Sequence, residues 1–243
     1  MPNHIINRFI SIDDEDKFKE LAINSKGDLD FSILLPMPYS LDIVSCGQAP
    51  QTELDKVKEV EEEVRKDPFH NQLNDIFEKA LEKGVKIATI FQYFNKKHYG
   101  VTDWYSWHTQ KWGTKWNAYD QADEGKLFQT AWSTPEGWLK ELAKHVDFKF
   151  IYSDEDRGNN LGFIEAVDGE LEWKEFSNYP CSTELAYLIH EDEEDYIEEQ
   201  IEYAKENAEY EKETFTDEDE AQLRKELEDK MEDAKTIYND FLE

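Results

Sequence analysis

Apolar and polar positions alternate at the start of the chain. Ile6, Arg8 and Ile10 mark a period of two between His4 and Ile12, which predicts a strand. Asp13 or Asp14 then stands where a helix cap is wanted, Phe18 and Leu21 share one face of a short helix, and Gly27 ends it. Residues 30–38, DFSILLPMP, are apolar up to two prolines and predict a second strand.

From Thr52 the period lengthens to that of a helix. Leu54, Val57, Val60 or Glu61, and Val64 mark one helix, interrupted by DPF at 67–69; Leu73, Ile76, Phe77, Ala80 and Leu81 mark a second, closed by Gly84. Ile87, Ile90, Phe91 and Phe94 mark a third up to Gly100. A fourth, capped by Thr102 or Asp103, carries Trp104, Tyr105, Trp107 and His108 up to Gly113. Together they predict a helical insert at about 52–113. Strand character returns at 126–134, Pro135 opens a helix, and FKFIYSD and LGFIEAVDG predict two strands joined by a turn through Arg157 to Asn160, with LEWKEF as an edge strand. Two strand–helix–strand halves imply an α+β fold, a sheet with helices packed on one face.

Beyond Ser182 the pattern is helical again. Leu185, Ile189, Tyr196, Ile197, Ile201, Ala204 and Ala208 form one apolar stripe; Leu223, Leu227, Met231, Ala234, Tyr238 and Phe241 form another, with Thr216 as an N-cap between them. This predicts an αα hairpin over 181–243, distinct from a domain spanning 1–180.

Charge changes this picture most. Residues 182–243 hold 24 acidic and 6 basic side chains, so this segment supplies 18 of the 30 excess negative charges in the 243-residue chain. Such a chain repels a phosphate backbone, which argues against direct binding to nucleic acid and for partners with basic surfaces. The aromatic content of 14% separates it from disordered acidic chains and implies a packed core. Cys46 and Cys181 have no CxxC spacing, and neither a signal peptide nor a run of eighteen apolar residues is evident, so the expectation is a cytoplasmic protein with no membrane span.

The segments MPNHIINRF, DFSILLPMP, WYSWHTQKWGTKWNAYD and FQTAWSTP, with the later strand pair, resemble the YubB-type family of plasmid and phage proteins over roughly residues 1 to 175. The resemblance implies a ferredoxin-like domain and a mobile-element origin. It implies no catalytic residues, and the acidic C-terminal segment lies outside it.

Several constellations invite a chemical reading. Trp104, Trp107, Trp112, Lys115 and Trp116 interleave aromatics with cations and form a candidate ligand site. Nearby Asp103, Asp120, Asp123 and Glu124 offset the positive charge, so Trp112 and Trp116 read as core, with Gly113 turning the chain back toward the sheet. Residues 154–165 resemble a calcium loop with a displaced glycine and read instead as a hairpin turn. The six histidines show no metal-ligand spacing, and no nucleotide or nucleophile motif is present, so neither metal, cofactor nor catalysis is expected.

The acidic segment remains. Eleven carboxylates between Glu191 and Glu211 span about 31 Å of helix. That is one per about 3 Å, against one phosphate per roughly 3.4 Å along a DNA strand. Glu191, Asp192, Glu194, Asp195, Glu198, Glu199, Glu202 and Glu206 are therefore the candidate partner-binding residues. The expected function is that of a non-enzymatic anti-defence protein whose acidic surface occupies the nucleic-acid-binding site of a basic host protein, such as a defence nuclease. The alternatives are a structural protein dimerising through the hairpin and a small-ligand binder at the Trp-rich region.

Overall fold

The strand that opens the chain, β1 (His4–Ile12), lies between two later strands, because its alternating side chains supply apolar groups to both faces of a sheet. The computed structural model describes residues 3–42, 47–67, 72–177, 181–211 and 214–242. The chain divides into two compact units: a sheet unit, residues 1–34 and 116–243, and a helical unit, residues 35–115.

In the sheet unit, β2 (Tyr119–Ala122), β3 (Leu127–Ala131), β4 (Phe148–Asp154), β5 (Leu161–Val167) and β6 (Glu170–Glu175) join β1 in an antiparallel sheet of order β2-β3-β1-β4-β5-β6. β3 and β4 flank β1, and the crossover between them carries helix α7 (Glu136–Leu142), the split βαβ arrangement of ferredoxin-like folds. Phe9 points to the face covered by α1 (Glu15–Ala22) and α7. Its ring lies 5.1 Å from Phe18 and 6.4 Å from Trp138. Asp14 caps α1 by accepting from the Lys17 amide. On the edge strand β6, Glu170, Glu172 and Glu175 are exposed charges that discourage further strand pairing.

The opposite face of the sheet is covered by α8 (Ser182–His190) and α10 (Asp217–Leu242). Ile6, Ile10, Ile151 and Phe163 meet Leu185, Ile189, Ala234 and Phe241 there. The C-terminal segment is helical, as its two stripes require, but it comprises three helices, with α9 (Glu193–Glu211) between α8 and α10. It belongs to the same compact unit as the sheet, so the boundary expected at 180/181 is not where the chain divides. Burial of Leu161, Phe163 and Phe176 requires α8 and α10 as a cover.

Residues 30–38 differ from the expected strand. Asp30 accepts from the amide and hydroxyl of Ser32, and Asn117 accepts from the Phe31 amide, so the chain turns into the short helix α2 (Phe31–Leu34) with Phe31 fully buried.

The helical unit contains α3 (Gln51–Val64), α4 (Leu73–Glu82), α5 (Ile87–Tyr99) and α6 (Trp104–Trp107), the last continued by a π-type turn over His108–Trp112. Val57, Val60, Ile76, Ala80, Ile90 and Phe94 form its core. Both Val60 and Glu61 are buried, and Glu61 is held by Lys97, Arg65 and Tyr93 at 2.7–2.8 Å.

Candidate interaction surface

The helix α9 carries its apolar stripe inward: Tyr196 and Ile201 pack with Tyr187, Leu227 and Met231. At 100° per residue, exposed Glu194, Asp195, Glu198, Glu199, Glu202, Glu206 and Glu209 fall within an arc of about 140° on the outer side. The candidate carboxylates on the helix therefore share one face. Tyr203 and Tyr210, 63% and 88% exposed, border that face. The sequence reading missed both, although their positions off the apolar stripe were a visible signal.

Glu191 and Asp192 are not part of this row. Glu191 ends α8 in the left-handed conformation, with φ 62°, and Asp192 lies in the joint between α8 and α9. Arg8 of β1 and Arg157 of the β4–β5 turn hold them. Arg8 Nη1 donates to Glu191 at 2.6 Å and keeps its carboxyl below the usual range. Arg157 Nη2 donates to Asp192 at 2.6 Å, while its guanidinium lies 4.1 Å from the Tyr187 ring centroid. Tyr187 in turn donates to Glu199 at 2.5 Å.

Other carboxylates pair across the helices. Glu198 meets Arg224 at 2.8 Å, Glu193 meets Lys235 at 2.9 Å, and Lys205 meets Glu220 at 2.6 Å. A groove of about 510 Å³ between α9 and α10 has Ile197 and Met231 among its lining residues, with Glu194, Glu228 and Glu232 beside these pairs. Of the eight candidate acids, Glu191, Asp192, Glu198 and Glu199 serve intramolecular contacts. Glu194, Asp195, Glu202 and Glu206 have no cationic partner among the described residues and remain available to one from outside.

The Trp-rich residues divide between the two units. Trp112 is buried, donates its indole N–H to the Leu35 carbonyl at 3.0 Å and stacks on His108 at 3.8 Å. His108 Nδ1 lies 2.9 Å from the Lys115 carbonyl, so that nitrogen carries the proton, and burial lowers the ring's pKa. Trp104 and Trp107 are half-buried in the helical unit. Trp116 belongs to the sheet unit and is 39% exposed beside Tyr119, which corrects its assignment to the core: of Trp112 and Trp116, Trp112 alone is buried.

The calcium-like segment is a β4–β5 hairpin turn. Asp154 accepts from Asn3, from Asn160 and from the Asp156 amide, so its oxygens are occupied. Among the described residues no three His, Cys, Asp or Glu side chains are placed to hold a metal. Cys181 is buried, which raises its thiol pKa; Cys46 lies outside the described residues.

Strands β2 to β6, α7 and the helical cover fall within a family signature, while β1 and α1 precede it. Residues 111–239, more than half of the chain, match the family described as the ferredoxin-like domain in Api92-like protein. The chain belongs to this family. The match runs through α8 and α9 and into α10, so the acidic segment lies inside the family domain, where the earlier resemblance had left it outside. No curated protein and no solved structure matches the chain. Among the described residues no helix is long and apolar enough to cross a membrane.

Proposed function

We propose that the outer face of α9 docks on a basic, nucleic-acid-binding surface of a host protein, such as a defence nuclease, and blocks it without catalysis. The observation that carries this reading is the gathering of seven exposed carboxylates into one arc of about 140°, five of them without an internal cation among the described residues. The seven carboxylates of the outer face, from Glu194 to Glu209, span about 24 Å at 1.5 Å per residue and so recur about every 3.4 Å, close to the phosphate spacing of a DNA strand. Carboxylates so placed can pair with Arg and Lys otherwise reserved for phosphate. Tyr203 and Tyr210 add the large, partly apolar contacts that protein interfaces favour.

The resemblance to the YubB-type plasmid and phage family supports a mobile-element origin, and with it action in the host cytoplasm. Affinity capture from host extract, followed by mass spectrometry, tests the reading. The expected result is a basic nucleic-acid-binding protein that duplex DNA displaces and raised salt releases. A captured protein that neither treatment releases would contradict it.

A further inference from the structure

The net charge of -30 is not spread evenly over the two units. The helical unit holds 12 acidic and 11 basic side chains, so the sheet unit carries 45 and 16 and therefore 29 of the 30 excess charges. Within the helical unit, residues 83–115 hold six lysines and a single carboxylate, Asp103. That carboxylate is buried and is used to cap α6 by accepting from the Ser106 amide. The overall negative charge therefore does not set the field at this segment. Screening confines exposed charges to a range of about 8 Å at physiological salt, so the local surface decides.

The same segment exposes aromatic rings beside its lysines. Tyr99 and Tyr105 are 41% and 40% exposed, and Tyr99 meets Trp107 edge to face at 6.3 Å. Lys111 Nζ lies 5.7 Å from the Trp107 ring. Lys96 and Lys111 are exposed and make no ion pair among the described residues. Lys96 also lines a groove of about 260 Å³ with no carboxylate among its lining residues; Gln48, Ser106 and Gln110 are among its walls, while Gln51 at its rim is already bonded to Asp55 of the adjoining depression. By contrast, the groove between α9 and α10 is lined by Glu193, Glu194, Glu198, Glu228 and Glu232.

We propose that this surface of the helical unit binds nucleotides, with Tyr99 stacking a base, Lys96 and Lys111 meeting phosphate, and the amides of the groove hydrogen-bonding the base edge. Stacking on an exposed ring and attraction to lysine are together the means by which single strands are held without sequence preference. A side-chain amide offers both a donor and an acceptor to a base. Polyglutamate would satisfy the lysines but brings no flat ring to stack on the exposed tyrosines.

The test is fluorescence anisotropy of a labelled single-stranded oligonucleotide at physiological salt, with the full chain and with Tyr99→Ala and Lys96→Glu/Lys111→Glu. All three positions are exposed, and unchanged thermal melting confirms that the variants fold. The wild type is expected to bind, Tyr99→Ala to weaken binding roughly tenfold, and the double charge reversal to abolish it. Displacement by adenosine monophosphate would assign the site to free nucleotides; binding that resists it would assign the site to a strand. Absence of wild-type binding, equal affinity in both variants, or capture of polyglutamate in place of the oligonucleotide would overturn the proposal. These residues lie outside α9, so the fate of this inference and that of the docking reading are measured separately.

Discussion

Arg157 of the β4–β5 turn donates to Asp192 at 2.6 Å, and 35 residues of chain separate the two. With Arg8 and Glu191 it fixes the joint at which α8 ends and α9 begins. The acidic face is thus oriented by two arginines of the sheet rather than by the helix alone.

Replacing Arg157 with Ala should therefore free the joint. Both side chains of the Arg157–Asp192 pair keep partial access to water, so a loss of about 1 to 2 kcal/mol in urea unfolding is expected. Lys at this position should recover only part of the loss, since it lacks the planar fork and stacks less well on Tyr187. A variant as stable as the wild type would remove the joint from the account.

Glu61 gives the helical unit an acid limit. Burial works to raise its pKa, but hydrogen bonds from Lys97, Tyr93 and Arg65 outweigh burial and lower it from 4.5 to about 2. The folded value lies below the unfolded one, so this contribution is complete above about 4.5 and is lost as pH falls toward 2. Glu61→Gln should cost roughly 1.5 to 3 kcal/mol at neutral pH, because the hydrogen bonds to a charged acceptor are lost while Lys97 and Arg65, 46% and 55% exposed, return to water, and should flatten the acid dependence. Urea unfolding across that pH range measures both effects.

Trp112 and Trp116 should behave differently on truncation. Trp112→Ala removes a buried indole, its bond to Leu35 and its stack on His108, for a loss of roughly 3 to 5 kcal/mol. Trp116→Ala, at a position 39% exposed, should cost less than half as much. Equal losses in thermal or urea unfolding would contradict the assignment.

Much of the fold is legible in the sequence. Alternation reveals β1, strand-forming runs bounded by turns reveal β3, β4, β5 and β6, and periods near 3.6 reveal α3, α4 and α5. What escapes depends on partners distant in the chain. The turn at Phe31 is secured by Asn117, 86 residues away, so FSILL reads as a strand until that partner is in place. The break at Glu191 escapes because Leu185, Ile189 and Tyr196 keep one apolar stripe through it, while the arginines that secure the break lie in or beside strands. Of the candidate site, the carboxylates themselves are evident from composition. Which of them are consumed internally is not, since that depends on Arg8, Arg157 and Arg224.

The central claim is that the outer face of α9 substitutes for nucleic acid, and Glu194, Asp195, Glu202 and Glu206 carry it free of internal ion pairs among the described residues. The most direct measurement replaces these four with Lys, leaving Glu198 with Arg224 and Glu199 with Tyr187, and follows competition between the protein and duplex DNA for the captured host protein. The account predicts that the variant keeps its helix content and melting behaviour, because only exposed positions change, and no longer competes with the duplex. A folded variant that competes as well as the wild type would contradict it.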